Sequence, residues 1–311
     1  MSGRAEIVSV NVSEVKGTAK HSVDEIVLNE RGVAGDAHAG PWHRQVTVLS
    51  QERLEAFSAR TGRPVGAGDF AENLTIRGLD LRCVAPLDRL GIGEVELEVT
   101  QIGKKCHGAG CVIYREVGEC LMPGEGIFCR VARGGAVRPG DAVEYRPRPL
   151  RFRIVTLSDR AFAGEYEDRS GPQVRRSVEE FFSGTRWHVE IEGVVLPDDA
   201  QKLDEEARAA CDGGADVLIT TGGTGVGPRD IAPETLAALC EKTIPGIMEH
   251  VRLKFGADKP TALLSRSVAG VRGRTQIYAL PGSVRAVKEY MGEILKNIEH
   301  LLFMLHGIDV H

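Results

Sequence analysis

The chain has 311 residues, 42% of them hydrophobic, and a formal net charge of -5. That length suffices for two ordinary domains with full cores, and the mild acidity without a Lys/Arg cluster excludes an electrostatic nucleic-acid binder. No apolar stretch approaches membrane-spanning length, and seven cysteines without a secretory signal exclude a disulfide scaffold, so a cytoplasmic protein with no membrane partner is expected.

The first half shows short β-type runs broken by Gly, Pro and Asp: Glu6–Asn11, Gln45–Leu49, Leu74–Ile76, Val95–Gln101 and Gly126–Val131. Only Gln51–Thr61 has a helical pattern there, with Ser50 as its N-cap. Many strands with few helices predict a β-rich, barrel-like domain. The stretch Tyr145-Arg-Pro-Arg-Pro-Leu150 reads as an extended linker, placing the domains at 1–147 and 148–311. Beyond it the pattern alternates. Strands are expected at Phe152–Leu157, Val189–Leu196, Val217–Thr221 and, last, Thr275–Ala279, with helices at Gln173–Phe182, Ala200–Cys211 and Pro233–Cys240. Ser283 then caps a long helix whose apolar positions, from Val284 to Leu305, recur at helical spacing. Such alternation predicts a doubly wound α/β sheet with helices on both faces.

The segment Ala215–Asp230, ADVLITTGGTGVGPRD, carries the most chemistry. A buried strand runs into glycines that let backbone N–H groups approach an anion, with Arg229 and Asp230 beside them. The loop is not a P-loop, because Gly227 is followed by Pro228, and its glycine order differs from the dinucleotide fingerprint. A phosphate-bearing ligand is expected there. Asp159, Asp198, Asp199 and Asp230 follow predicted strand ends, which converge on one edge of a parallel sheet. Carboxylates beside a phosphate need a divalent cation between them, and Mg2+ suits that role. Taken singly, Asp159, Asp198 and Asp199 read equally well as turn or helix caps.

The ordered series LSDRAFAGEYEDRSGP, LPDD, TTGGTGVGPRD, PGIMEHVR, LLSRSVAGVRG and ALPGS resembles the molybdopterin adenylyltransferases of the MogA and MoaB type, over nearly all of the chain from Arg151 onward. The resemblance implies adenylylation of molybdopterin by ATP with release of pyrophosphate. It places Asp198 and Asp230 on the family's two essential acidic positions, holding Mg2+. It sets Gly222, Gly223, Thr224 and Gly225 around phosphate. Further pocket positions are Ser158, Asp159, Glu249, Ser265, Arg266, Pro281, Gly282 and Ser283. For Glu249 and Ser265 a plain helix-surface or capping role reads as well. The resemblance also implies a homo-oligomer, a trimer or a multiple of one.

In the first half RGVAGDAHAG, RQVTVLSQE, AENLTIRGLDL and VTQIGKKCHGAGC resemble the MOSC domain, over about residues 5 to 145. The resemblance implies one cysteine after a strand, here Cys106, that carries sulfur or contacts the molybdenum cofactor. The sequence Gln101-Ile-Gly-Lys-Lys-Cys106 departs from the usual arginine and proline before that cysteine. Lys104 and Lys105 would make the thiol more nucleophilic. Arg31, Asp36 and His38, with His43, form a polar cluster facing the same pocket, although His43 reads rather better as an ordinary loop hydrogen bonder. Cys106, His107, Cys111 and Cys120 offer a second reading as a zinc or iron–sulfur site, against which stand the absence of paired CxxC spacing and the strand-like run that holds Cys129. The leading expectation is therefore a two-domain enzyme of molybdenum cofactor biosynthesis, serving metal insertion and molybdoenzymes. The alternatives are a non-catalytic carrier of the cofactor and a reductase component acting on N-hydroxylated compounds.

Overall fold

Buried β-branched runs organise both halves of the chain. The computed structural model describes residues 4–105, 114–115 and 118–309. The chain divides into two compact units, Met1–Arg148 and Pro149–His311.

The first unit contains β1 (Glu6–Val12), β2 (His21–Val23), β3 (Ile26–Asn29), β4 (Gly32–Val33), β5 (Val46–Ser50), β6 (Leu74–Arg77), β7 (Arg89–Ile92), β8 (Val95–Ile102), β9 (Ile127–Arg133), β10 (Gly135–Val137) and β11 (Val143–Arg146), with helices α1 (Gln51–Thr61) and α2 (Met122–Glu125). Its larger sheet runs β11-β7-β8-β9-β5-β6-β1-β2 and its smaller one β10-β3-β4. The larger sheet curls until its β11 end meets β1. The Ile7 N–H donates to Asp141 O at 2.9 Å and the Val143 N–H to Ala5 O at 2.8 Å. Val46, Val48, Leu74, Ile76, Leu97 and Val99 fill the interior. Helix α1 starts where Ser50 accepts from the Arg53 N–H and ends at Gly62, which takes a left-handed φ of 69°. It buries Leu54 and Phe57, whose ring stacks edge-on against Phe70 at 5.2 Å, and each such burial contributes about 1.5–3 kcal/mol.

The stretch expected as a linker is shorter than its composition suggests. Tyr145 and Arg146 pair with Leu90 and Arg89 in the sheet, and the Tyr145 hydroxyl donates to the buried Asp88 carboxylate at 2.7 Å. Only residues 147–149 lie between β11 and the next strand, because proline ends the ladder by removing its N–H.

The second unit contains β12 (Leu150–Leu157), α3 (Asp159–Phe162), α4 (Ser170–Phe182), β13 (Val189–Leu196), α5 (Ala200–Asp212), β14 (Val217–Thr221), α6 (Ala232–Leu239), β15 (Lys242–Thr243), α7 (Pro245–Gly256), β16 (Ala269–Arg272), β17 (Thr275–Leu280) and α8 (Val284–Leu305). The sheet order is β13-β12-β14-β17-β16-β15. Its first four strands are parallel, and β16 and β15 add an antiparallel flank. Val155, Leu157, Leu218, Ile277 and Ala279 pack with Leu203 of α5 and Leu236 of α6. The alternate residues face α4 and α8, where Gln276 Nε2 donates to the Ile298 carbonyl at 3.0 Å. Helices thus cover both faces of an α/β sheet. Among the described residues no helix is long and apolar enough to cross a membrane.

Candidate functional site

Register alone brings four loops of the second unit together. Leu157 pairs with Leu196, Thr156 with Thr221, and Thr221 with Leu280, so β12, β13, β14 and β17 end at one edge. The chain leaves β12 first for β13 on one side and then for β14 on the other. This reversal opens a crevice between the loops after β12 and β14, the usual ligand position in an open α/β sheet.

Three acidic residues meet there. The Asp159 N–H donates to Asp198 Oδ2 at 3.3 Å, and the Asp198 N–H returns a bond to Asp159 Oδ1 at 3.0 Å. Neither is spent on capping α5, because Asp199 accepts from the Gln201 and Lys202 N–H groups. Burial, and then the charge of Asp230, push the Asp198 carboxyl above its ordinary range. Arg229 lies against Asp159 and within 4.0 Å of Asp198. Ser158 caps the short α3 and exchanges a 2.8 Å hydrogen bond with Tyr166.

The glycine loop is shaped by close approach. Gly222 has φ +105°, and a Cβ there would lie 2.3 Å from the Leu157 carbonyl oxygen. A Cβ on Gly225 would lie 2.7 Å from Asp230 Oδ2. That carboxylate also accepts from the Gly227 N–H at 2.8 Å, folding the loop around its own acid. Arg266 holds the loop from behind. Its guanidinium donates to the carbonyls of Gly225 at 2.6 Å and Asp230 at 2.9 Å and pairs with Glu234.

A cavity of about 390 Å3 opens beside the loop. Gly222, Gly223, Thr224, Gly225, Asp230, Ser265, Pro281, Gly282 and Ser283 are in its wall, with Lys259, Arg285, Glu289 and Tyr290. Ser283 caps α8 by accepting from the Ala286 N–H, which orients the start of a 22-residue helix at the cavity. Ser158, Asp159 and Asp198 are not in this wall; Asp198 feels the charge of Asp230 across the crevice. Glu249 is exposed on α7 and is not in the wall, and Arg266 is committed to loop carbonyls.

In the first unit Asp36 is the centre of a buried polar cluster. It pairs with the buried Lys20, accepts from the His38 N–H at 2.9 Å and the Ser13 N–H at 3.1 Å, and faces Asn73 Nδ2 at 3.3 Å. His38 Nδ1 lies 3.4 Å from Asp36 Oδ1 and its ring is part-exposed. Burial opposes the Asp36 charge, but hydrogen bonds from His38 and Lys20 outweigh it and hold the carboxyl well below the usual range. Glu72 is fully buried. Its Oε1 accepts from the Gly68 N–H at 2.7 Å and the Thr75 hydroxyl at 3.1 Å, while Oε2 has no partner among the described residues. Burial pushes its carboxyl up to about 7. Arg31 is exposed, and its carbonyl accepts from the Gly40 N–H at 2.7 Å. His43 presents its carbonyl to the Thr100 hydroxyl at 2.7 Å.

Cys106, His107 and Cys111 lie outside the described residues. Cys120 and Cys129 belong to separate apolar clusters, and burial pushes the Cys129 thiol up, away from the thiolate that a metal needs. These two do not contribute to a shared cluster. Among the described residues no group of three or more His, Cys, Asp or Glu is placed to hold a metal by itself.

Comparison with known proteins matches the two units to separate families. Residues 153–300 match the family described as probable molybdopterin binding domain, and residues 35–144 match the MOSC domain. The molybdopterin adenylyltransferase of Helicobacter pylori J99 is 33% identical over 160 residues, which cover 51% of this chain and 89% of that protein. The chain belongs to the molybdopterin-binding domain family. Its molybdopterin-binding domain is preceded by a MOSC domain. It is also 35% identical over 162 residues to the Drosophila melanogaster molybdenum cofactor synthesis protein cinnamon, covering 52% of this chain but only 26% of that protein. Among solved structures, the molybdopterin biosynthesis enzyme MoaB of Thermus thermophilus matches at 36% identity and a TM-score of 0.45, over 51% of this chain and 97% of that one.

Several residues of both domains escaped the sequence reading. In the molybdopterin-binding domain Asp168 accepts from the Ser170 N–H and hydroxyl at 2.9 Å each and from Thr156 at 2.7 Å, so the Glu-Asp-Arg-Ser-Gly run is the start of α4. Lys259, Arg285 and Tyr290 reach the cavity from positions outside those motifs. In the MOSC domain Lys20 stands alone in a polar stretch, and only folding pairs it with Asp36.

Proposed function

We propose that the molybdopterin-binding domain transfers the adenylyl group of ATP to the terminal phosphate of molybdopterin, while the MOSC domain binds the cofactor or carries sulfur on Cys106. The observation that carries the first part is the convergence of Asp198 and Asp230 beside a glycine-lined cavity at the strand ends. Burial and the neighbouring charge of Asp230 raise the proton affinity of Asp198, which is the cost a bound cation relieves. The donors are all oxygen, as a hard divalent cation requires, and Mg2+ is typically held by one or two carboxylates plus phosphate oxygens. Asp198 and Asp230 are the residues that would hold it. Bound there, Mg2+ would neutralise charge on the phosphates.

The chain's own groups do the positioning. N–H groups of the Gly222–Gly225 loop and the start of α8 at Ser283 would seat the phosphate of the pterin. One of its oxygens attacks the α-phosphorus of ATP, forming a new P–O–P link. The bond from the α-phosphorus to the bridging oxygen breaks, and that oxygen leaves with pyrophosphate. Nucleotidyl transfer depends mainly on alignment and charge neutralisation, so this constellation suffices without a covalent intermediate. Arg229 lies beside Asp159 and Asp198 and on this reading would meet the leaving phosphates.

A carrier role is the second reading, and the same Arg229 contact favours it, because an arginine that neutralises the acids would lessen their demand for a cation. Pyrophosphate release on mixing the chain with molybdopterin and Mg-ATP supports transfer. Tight pterin binding without pyrophosphate would support the carrier.

A further inference from the structure

One side chain of the cavity wall carries a buried polar group left unpaired among the described residues. Tyr290 lies on α8 in the cavity wall, is 3% exposed, and its hydroxyl has no hydrogen-bond partner among the described residues. Buried tyrosine hydroxyls ordinarily find one, since an unmade bond forfeits the water the group has lost. The same sheet layer meets that demand elsewhere, where the Tyr278 hydroxyl donates to Gln276 Oε1 at 2.9 Å. Nearby polar side chains of the cavity are already engaged. Ser265 exchanges a 2.7 Å bond with Ser267, and Glu289 accepts from Arg285 at 2.7 Å.

We infer that the Tyr290 hydroxyl donates to an acceptor atom on the planar nitrogen heterocycle of the ligand seated in this cavity, and so helps to select that ligand. The inference rests on the proposed function for the kind of ligand. Tyr290 follows Ser283 by seven residues, a rise of about 10 Å along α8. That distance fits a ligand whose phosphate sits at the Ser283 end and whose ring system reaches Tyr290. Pterin and adenine rings both offer acceptor lone pairs, and the cavity wall supplies the rest of the shape.

The test is Tyr290→Phe in the full chain, titrated separately with molybdopterin and with AMP in the absence of turnover. We expect a five- to tenfold weaker Kd for one of the two, the usual effect of one neutral hydrogen bond. Loss confined to molybdopterin assigns the hydroxyl to the pterin ring, and loss confined to AMP assigns it to adenine. The thermal midpoint should stay level or rise, because no bond within the protein is removed. Unchanged affinity for both ligands, or a fall in the midpoint, would overturn the inference. Weakened binding in a chain that releases no pyrophosphate would leave the inference standing and remove the transfer reading. A wild-type chain that binds neither ligand would remove both.

Discussion

Asp230 shapes the glycine loop and lies beside the acid across the crevice, and its two duties can be separated. An asparagine keeps an oxygen to accept the Gly227 N–H bond but carries no charge. Asp230→Asn should therefore leave the fold intact and reduce pyrophosphate release by about 10^2–10^3-fold, the scale seen when one electrostatic stabiliser of a transition state is removed. Circular dichroism alongside the rate would show whether the loop survived. Glu72 allows a test of opposite character, on stability. Its carboxyl is raised to about 7, so the folded state holds a proton that the unfolded chain releases. The stabilisation is complete below the ordinary glutamate value of about 4.3 and is lost as pH rises through about 7, amounting to a few kcal/mol. Lys20 moderates the loss, since its ammonium acts electrostatically on Glu72. Asp36, held below the usual range, acts with the opposite sign at lower pH. Urea denaturation followed from pH 4.5 to 8 should show the first unit weakening, and Glu72→Gln should flatten the profile.

At the level of elements, legibility followed the local signal. Helix α1 with its Ser50 cap, strands β13 and β14, and the start of α8 at Ser283 were readable because cap chemistry and apolar runs are local. The two- and three-residue strands β2, β4, β10 and β15 carry too few side chains for any period to register. Helix α7 carries a weaker signal; Pro245 and Gly246 open it and only Met248, Val251 and Gly256 are buried, a weak stripe. The candidate site divides the same way. The glycine loop and its acid were visible as a motif, whereas Lys259 and Tyr290 arrive through tertiary packing. The loop itself makes a sharp prediction. Gly222→Ala would place a methyl 2.3 Å from the Leu157 carbonyl oxygen in a left-handed conformation. A loss of about 1–3 kcal/mol from backbone strain, and more from the contact, should appear in the thermal midpoint.

Across the whole molecule the two units have their own interiors. The first is filled from the faces of a curled sheet and the second from both sides of a parallel one. Each family match also falls within a single unit. Residues 149–311 expressed alone should therefore fold, and on the proposed function should release pyrophosphate within a few-fold of the full chain's rate. A unit that folds but stays inactive while the full chain is active would contradict this. The central claim is adenylyl transfer at Asp198 and Asp230. The most direct measurement is mass spectrometry of the full chain incubated with molybdopterin and Mg-ATP. Adenylylated molybdopterin is the product expected. Molybdopterin recovered unchanged from a chain that binds it would contradict the claim and leave a carrier.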